Sequence, residues 1–110
     1  MPGETTASAL TLHWTVPTEH PAFPGHFPGR PILPGVVLLD RAITAAAQHY
    51  GLAPEALRIA AAKFLSPVAP GESLVLTMQR TPTGSVQFAI SGDARTIASG
   101  SLAVRPEDAA

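Results

Sequence analysis

The stretch PGVVLLDRAITAAAQHYG, residues 34–51, decides the fold that we predict for this chain. Pro34 and Gly35 are typical of the start of a helix, and Gly51 is typical of its end. On a helical wheel, apolar side chains cover most of the circumference. Four polar side chains lie on one narrow face or at its edge: Asp40, Arg41, Thr44 and Gln48. The stretch therefore predicts a helix over residues 36–51 that is mostly buried by other elements.

The segments on both sides of this helix have the patterns of strands. Residues 9–16 alternate apolar and polar side chains, which is typical of a half-buried strand. Four later strands are predicted at residues 57–65, 74–80, 86–90 and 95–104, the last with Ile97 and Ala98 on opposite faces. Short turns between them predict an antiparallel meander. We expect one α+β domain over residues 1–110, its sheet curled round the helix and its ordered core at about residues 8–105.

The composition excludes several classes of protein. Hydrophobic residues make up 45% of the 110-residue chain and charged residues 14%, so a disordered chain is excluded. The net charge of -1 gives no basic excess for nucleic-acid binding. The absence of cysteine excludes disulfides, thiolate metal sites and a cysteine nucleophile. Because we find neither a signal-peptide pattern nor an apolar run long enough to span a membrane, we expect a cytoplasmic protein.

The connection between the first strand and the helix is the candidate functional segment. The window from Pro17 to Gly35 contains six prolines and three glycines, interleaved with apolar side chains, among them Phe23. Long loops of this kind in compact domains are usually functional or disordered, and the apolar residues favour an ordered path. His26 lies in the middle of it. A histidine exchanges protons near neutral pH, since its unperturbed pKa is about 6.5.

Residues 26–40, HFPGRPILPGVVLLD, resemble the active-site signature of the bacterial 3-hydroxyacyl-(acyl carrier protein) dehydratases, which have the hot-dog fold. The matched pattern is His-Phe-Pro-Gly, a proline five residues after the histidine, Pro-Gly after that, and a carboxylate fourteen residues after the histidine. The resemblance continues into KFLSPVAPGESL, residues 63–74, and covers roughly residues 10–105. The short chain is most similar to divergent, ApeI-like dehydratases of aryl-polyene and other specialised acyl pathways.

The resemblance implies the dehydration of a 3-hydroxyacyl thioester to the trans-2-enoyl thioester. This reaction removes a proton beside the thioester carbonyl and protonates the hydroxyl group that leaves, and we assign both tasks to His26. Gly35 lies in the first helical turn, where free N–H groups stabilise negative charge on the thioester oxygen. The resemblance implies that Asp40 positions the hydroxyl group or a water molecule. It also implies that the backbone carbonyl of Ile32 orients the histidine.

Three further features complete the predicted site. Phe27 and Leu33 either line an acyl pocket or pack in the core. Thr44 stands where the family usually has glutamine, so it is the main departure from the family pattern. The resemblance implies a homodimer in which the histidine of one subunit works with the carboxylate of the other. The acyl group is carried by acyl carrier protein or coenzyme A, and we expect no cofactor and no metal.

Two other functions remain open from the sequence. One is a hot-dog acyl thioesterase, although hydrolysis does not need this particular histidine segment. The other is a non-catalytic acyl-binding subunit of a dehydratase complex, which is suggested by Thr44 and by the short chain.

Overall fold

The computed structural model describes residues 9–17 and 33–105, which form one helix against one sheet. The elements in chain order are β1 (Ala9–Thr15), α1 (Gly35–Tyr50), a short 3-10 turn (Pro54–Ala56), β2 (Leu57–Phe64), β3 (Ser73–Arg80), β4 (Val86–Gly92) and β5 (Arg95–Val104). The predicted helix and the five predicted strands are all present, and their bounds agree to within two residues. The α+β class is therefore confirmed.

The five strands form one antiparallel sheet in the order β1-β3-β4-β5-β2. The predicted meander is correct for β3, β4 and β5 but wrong for β2, which pairs with β5 instead of β3. The turn-rich connection at residues 65–72 thus links strands that are not neighbours. Its prolines and glycine predict that the chain changes direction. They do not predict that β2 pairs with β3, the next strand in the chain.

The inner face of the sheet forms most of the core. On β3 and β4 the side chains of alternate residues are buried, and those on β1 are partly buried. Residues on neighbouring strands face each other directly, as in the pairs Leu76 with Ile90 and Met78 with Phe88. Such cross-strand apolar pairs fix the register, because a shift by one residue would turn every apolar side chain to the solvent.

Helix α1 closes this core with small side chains. Its buried residues are Leu38, Ala42, Ala45, Ala46 and Ala47. Alanine allows the sheet to approach the helix backbone closely, and the polar side chains of Asp40, Arg41, Thr44 and Gln48 lie on the exposed side of the helix. The helix ends at Gly51, which adopts a left-handed φ of 66° and donates its N–H to the carbonyl of Ala47.

An irregularity in the pairing of β4 with β5 corrects the predicted faces of β5. Ile90 pairs with Ala98 and Ser91 pairs with Thr96, so Ile97 has no partner on β4. This extra residue is a β-bulge, which interrupts the alternation of faces. As a result Ile97 and Ala98 are both buried, although the sequence pattern predicts them on opposite faces.

Among the described residues, no helix combines the length and the apolar character needed to cross a membrane.

Candidate functional site

The N-terminal end of α1 has an open backbone. Pro34 precedes the helix in an extended conformation, with φ of -62° and ψ of 144°, and no side chain caps the helix. The N–H of Val37 donates to the carbonyl of Pro34 at 3.0 Å. Within the described residues, the N–H groups of Gly35 and Val36 have no acceptor. Because the helix dipole adds positive potential here, this end can bind a ligand oxygen that carries negative charge.

A cavity of about 550 Å³ opens beside this helix end. This volume is within the range of roughly 300–1,000 Å³ for small-molecule sites. The lining residues are Leu33, Gly35, Val36, Leu38, Phe64, Leu65, Ser66, Pro67 and Val68. Most of them are apolar, and the open backbone of α1 supplies donors at one end. The cavity therefore suits a ligand with an apolar chain and a polarised oxygen.

The ring of Phe64 lies close to Gly35 at the start of α1. A Cβ atom added to Gly35 would lie 2.8 Å from Cε1 and 2.9 Å from Cζ of the Phe64 ring. A side chain at position 35 would therefore displace the half-exposed Phe64 ring. The predicted importance of Gly35 thus has a steric reason on the protein side, in addition to access for a ligand.

Leu33 links the core to the cavity. Its side chain is only 3% exposed, and it belongs to the core cluster while also lining the cavity. Leu33 thus packs in the core, as one alternative predicted, and its role in an acyl pocket stays a prediction. The other residues predicted on this segment, Phe23, His26, Phe27 and Ile32, lie outside the described residues.

Asp40 is not brought to this cavity within a single chain. It is exposed and does not line the cavity. Five residues of helix separate it from Gly35, which corresponds to about 7.5 Å along the axis and a rotation of about 140°. The neighbouring Arg41 guanidinium lies over the ring of Trp14, 4.9 Å from its centroid. The Asp40 carboxylate thus faces solvent on a different side of the helix from Gly35.

Thr44 is also remote from the cavity at Gly35. It lies on the exposed face of α1 and lines a second, small cavity of about 110 Å³, together with Leu12, Arg41, Ala45 and Gln48. The structure therefore brings Leu33 and Gly35 together, whereas it places Asp40 and Thr44 on another face.

The far wall of the large cavity was not predicted from the sequence. It consists of the end of β2 and the first part of the connection after it, residues 64–68. Phe64 and Leu65 are exposed apolar side chains, at 49% and 55%. In the sequence, these residues were marked only by the resemblance of residues 63–74 to the dehydratase family. That resemblance does not show that residues 64–68 lie opposite the N-terminal end of α1.

The residues described do not form a metal centre. Within residues 9–17 and 33–105, no three side chains of the types His, Asp, Glu or Cys converge closely enough to hold an ion. Glu72, at the end of the β2–β3 connection, has a pKa that is held below its ordinary value chiefly by a hydrogen bond from Arg95.

One helix packed on an antiparallel sheet in this strand order, with a cavity at an open helix end, defines a hot-dog-fold protein. The dehydratase heterocomplex ApeI:P from Xenorhabdus doucetiae contains a similar chain, with a TM-score of 0.74, 25% identity, and coverage of 90% of this chain and 88% of that chain. The fluoroacetyl-CoA thioesterase FlK matches with a TM-score of 0.60 and 16% identity, which shows a shared fold alone.

Residues 3–101 match the family model ApeI-like, described as ApeI dehydratase, and the chain belongs to this family. Among curated proteins, the 3-hydroxyacyl-[acyl-carrier-protein] dehydratase FabZ of Ehrlichia chaffeensis is 36% identical over 77 residues. That alignment covers 64% of this chain and 52% of the relative. The chain thus spans about half the length of this curated relative.

Proposed function

We propose that this protein dehydrates 3-hydroxyacyl thioesters carried by acyl carrier protein, yielding the trans-2-enoyl thioester and water. The observation that carries the proposal is the uncapped end of α1 at Gly35, which opens into an apolar cavity and directly follows the segment that contains His26. Membership of the ApeI-like family supports the same reaction.

The imidazole of His26 performs the proton transfers of the proposed reaction. It accepts the proton from C2 of the acyl chain, the bond between C3 and its oxygen breaks, and the same imidazole returns the proton to the departing hydroxyl group. One water molecule leaves and the imidazole ends in its starting state. The reaction suits a group whose unperturbed pKa is about 6.5, because both directions of transfer then cost little near neutral pH.

The backbone N–H of Gly35 stabilises the charge that develops in this step. As the C2 proton leaves, negative charge builds on the thioester oxygen, and a fixed donor at a helix N-terminus lowers the energy of that state. The apolar wall formed by Phe64, Leu65 and Val68 holds the acyl chain on the other side of the cavity.

The proposed active protein is a homodimer, and the outer strand β2 supports this. Among the described strands, β2 pairs with β5 alone, and every residue from Arg58 to Phe64 is exposed, including Ile59 at 45%. An exposed outer strand with apolar side chains is normally covered by another chain or element. We infer that a second copy covers it.

A second copy also accounts for Asp40. Its carboxylate faces solvent about 140° around the helix from Gly35, so it cannot reach the cavity of its own chain without a large rearrangement. In the proposed dimer, Asp40 of each subunit positions the substrate hydroxyl group in the site that contains His26 and Gly35 of the other.

The experiment that tests the proposed function follows enoyl absorbance after the protein is mixed with 3-hydroxyacyl thioesters of several chain lengths. Parallel reactions use acyl carrier protein and coenzyme A as carriers. We expect enoyl product, with faster turnover on acyl carrier protein. Release of free thiol without enoyl product would indicate a thioesterase instead. Turnover that requires an added, related subunit would indicate the non-catalytic role.

The location in the cytoplasm stays a prediction from the sequence. Cell fractionation with an antibody to the full chain tests it, and we expect the protein with the acyl carrier protein in the cytoplasmic fraction.

A further inference from the structure

The connection between β2 and β3, residues 65–72, is hydrogen-bonded to the chain just before residues 18–32. The N–H of Val16 donates to the carbonyl of Glu72 at 2.9 Å, and the N–H of Gly71 donates to the carbonyl of Val16 at 2.8 Å. Val16 is fully buried, so these two bonds are shielded from water. The residue that follows β1 is therefore fixed to the β2–β3 connection.

The same connection holds the chain just after residues 18–32. The N–H of Leu33 donates to the carbonyl of Val68 at 2.9 Å, and both side chains are buried. Because residues 18–32 contain His26, both ends of the segment that carries the proposed base are attached to one short piece of backbone. A displacement of that piece displaces both attachments together.

An arginine on β5 fixes this connection by its side chain. Nη1 of Arg95 lies 2.6 Å from Oε2 of Glu72, and Nη2 of Arg95 donates to the carbonyl of Pro67 at 2.9 Å. Oε1 of Glu72 accepts a hydrogen bond from the N–H of Ala69 at 3.2 Å. The planar guanidinium thus binds two points of the connection at once, which an ammonium group at the end of a flexible chain does less well.

We propose that Arg95 and Glu72 are positioning residues for catalysis, which hold the β2–β3 connection and through it both ends of the segment that contains His26. The inference rests on the proposed function of His26. Neither side chain lines the cavity, so the pair acts only through the backbone that it fixes. Displacements of about 1 Å in a catalytic group are enough to lower the rate of reaction substantially.

The first experiment compares Arg95→Met with Arg80→Met. Arg80 is the matched control, because its Nε donates to the carbonyl of Gly84 at 2.8 Å in the β3–β4 turn, away from the cavity. We expect kcat to fall about tenfold in R95M with KM changed less than twofold, and both constants to stay within about twofold in R80M. The conservative variant R95K keeps the charge but not both contacts, and it should fall between R95M and the wild type.

A second measurement does not depend on turnover. Hydrogen–deuterium exchange of the Val16, Leu33 and Gly71 amides should be about tenfold faster in R95M than in the wild type, and unchanged in R80M. If R95M does not fold, Glu72→Gln takes its place, and exchange of the same three amides should again be faster than in the wild type. Unchanged exchange at these amides would overturn the inference, and so would faster exchange with an unchanged kcat.

The exchange measurement separates this inference from the proposed function. If the wild-type protein converts no 3-hydroxyacyl thioester, the proposed function fails and the catalytic part of the inference fails with it. The exchange rates still decide whether Arg95 and Glu72 anchor the two ends of the segment 18–32.

Discussion

The two outer strands of the sheet, β1 and β2, differ sharply in how the chain covers them. On β1, partly buried side chains alternate with the exposed ones of Thr11, His13 and Thr15, and seven residue pairs join it to β3. On β2, only Leu57 is buried, and exposed apolar side chains such as Ile59 and Phe64 follow. Both strands lie at an edge of the sheet, and within residues 9–17 and 33–105 the difference between them is that β1 has a regularly half-buried face and β2 does not.

The exposed strand β2 leads directly to the candidate site. β2 ends at Phe64, whose ring contacts Gly35 at the open end of α1, and the connection that follows lines the same cavity. The incompletely covered edge and the candidate site are thus one continuous region, which we name the β2 side. The exposed residues of β1 are polar apart from Ala9, and two of them serve as controls in the first two predictions below.

The largest effect is expected from a substitution of His26, which lies in the chain segment that leads to Gly35. His13 on β1 is the control. We expect His26→Ala to lower kcat by about 10²- to 10⁴-fold, because general acid–base catalysis contributes a factor of this size. His13→Ala, on the exposed face of β1, should leave kcat within about twofold. Steady-state kinetics with enoyl absorbance measures both, and equal losses in the two variants would remove His26 from its assigned role.

The next effect tests the coverage of β2. A charge introduced by Ile59→Asp should raise the dimer dissociation constant by about 100-fold, since an unpaired carboxylate in an interface is strongly unfavourable. Thr11→Asp places the same charge on the outer face of β1 and should not change it. Light scattering across a concentration series gives both constants. A wild-type monomer at all concentrations would contradict the dimer.

A smaller effect is expected from the two glycines at the ends of α1. Gly35→Ala should lower kcat by about 10- to 100-fold, because the new Cβ displaces the Phe64 ring and obstructs the N–H donor. Gly51→Ala should lower stability by about 1 kcal/mol, since φ there is 66°, and leave kcat unchanged. Steady-state kinetics and urea unfolding of the two variants separate the effect on kcat from the effect on stability. Full activity of G35A would exclude Gly35 as the donor to the thioester oxygen.

The smallest effect is the acid dependence of stability at Glu72. Its pKa in the folded protein is lowered from the ordinary value of 4.5, so its ionised form stabilises the fold above that pH. The contribution is lost as the pH falls below 4.5 through the folded-state pKa. In Glu72→Gln this loss should be absent, with a melting temperature lower than wild type by about 1–3 °C at pH 7 and by a smaller amount at pH 3. Glu55→Gln, exposed in the 3-10 turn, is the control.

Much of the fold was predictable from the sequence because it depends on local patterns. Alternating side chains gave the strands, and the apolar surface of residues 36–51 gave the buried helix. The position of β2 and the bulge at Ile97 were not predictable, since both depend on pairing between distant parts of the chain. A turn-rich segment such as residues 65–72 is compatible with either a hairpin or a crossing connection.

The candidate site was predictable only in part, for a similar reason. Gly35 and Leu33 lie together as expected, because they are two residues apart in the sequence at the start of α1. Phe64 was missed, because its contact with Gly35 arises from packing across the fold. The five-residue spacing places Asp40 on a different side of the helix from Gly35, but the sequence did not show where the cavity wall at residues 64–68 lies. The role of His26 remains a prediction.

The measurement that tests the shared dehydratase site most directly is a mixture of two inactive variants, His26→Ala and Asp40→Asn. Half of the dimers in an equilibrated equal mixture contain one subunit of each kind, and each of these has one site in which both side chains are intact if the site is shared between subunits. We predict that the separate variants are inactive and that the mixture recovers about a quarter of wild-type activity. A mixture as inactive as its components would contradict a site built from His26 of one subunit and Asp40 of the other.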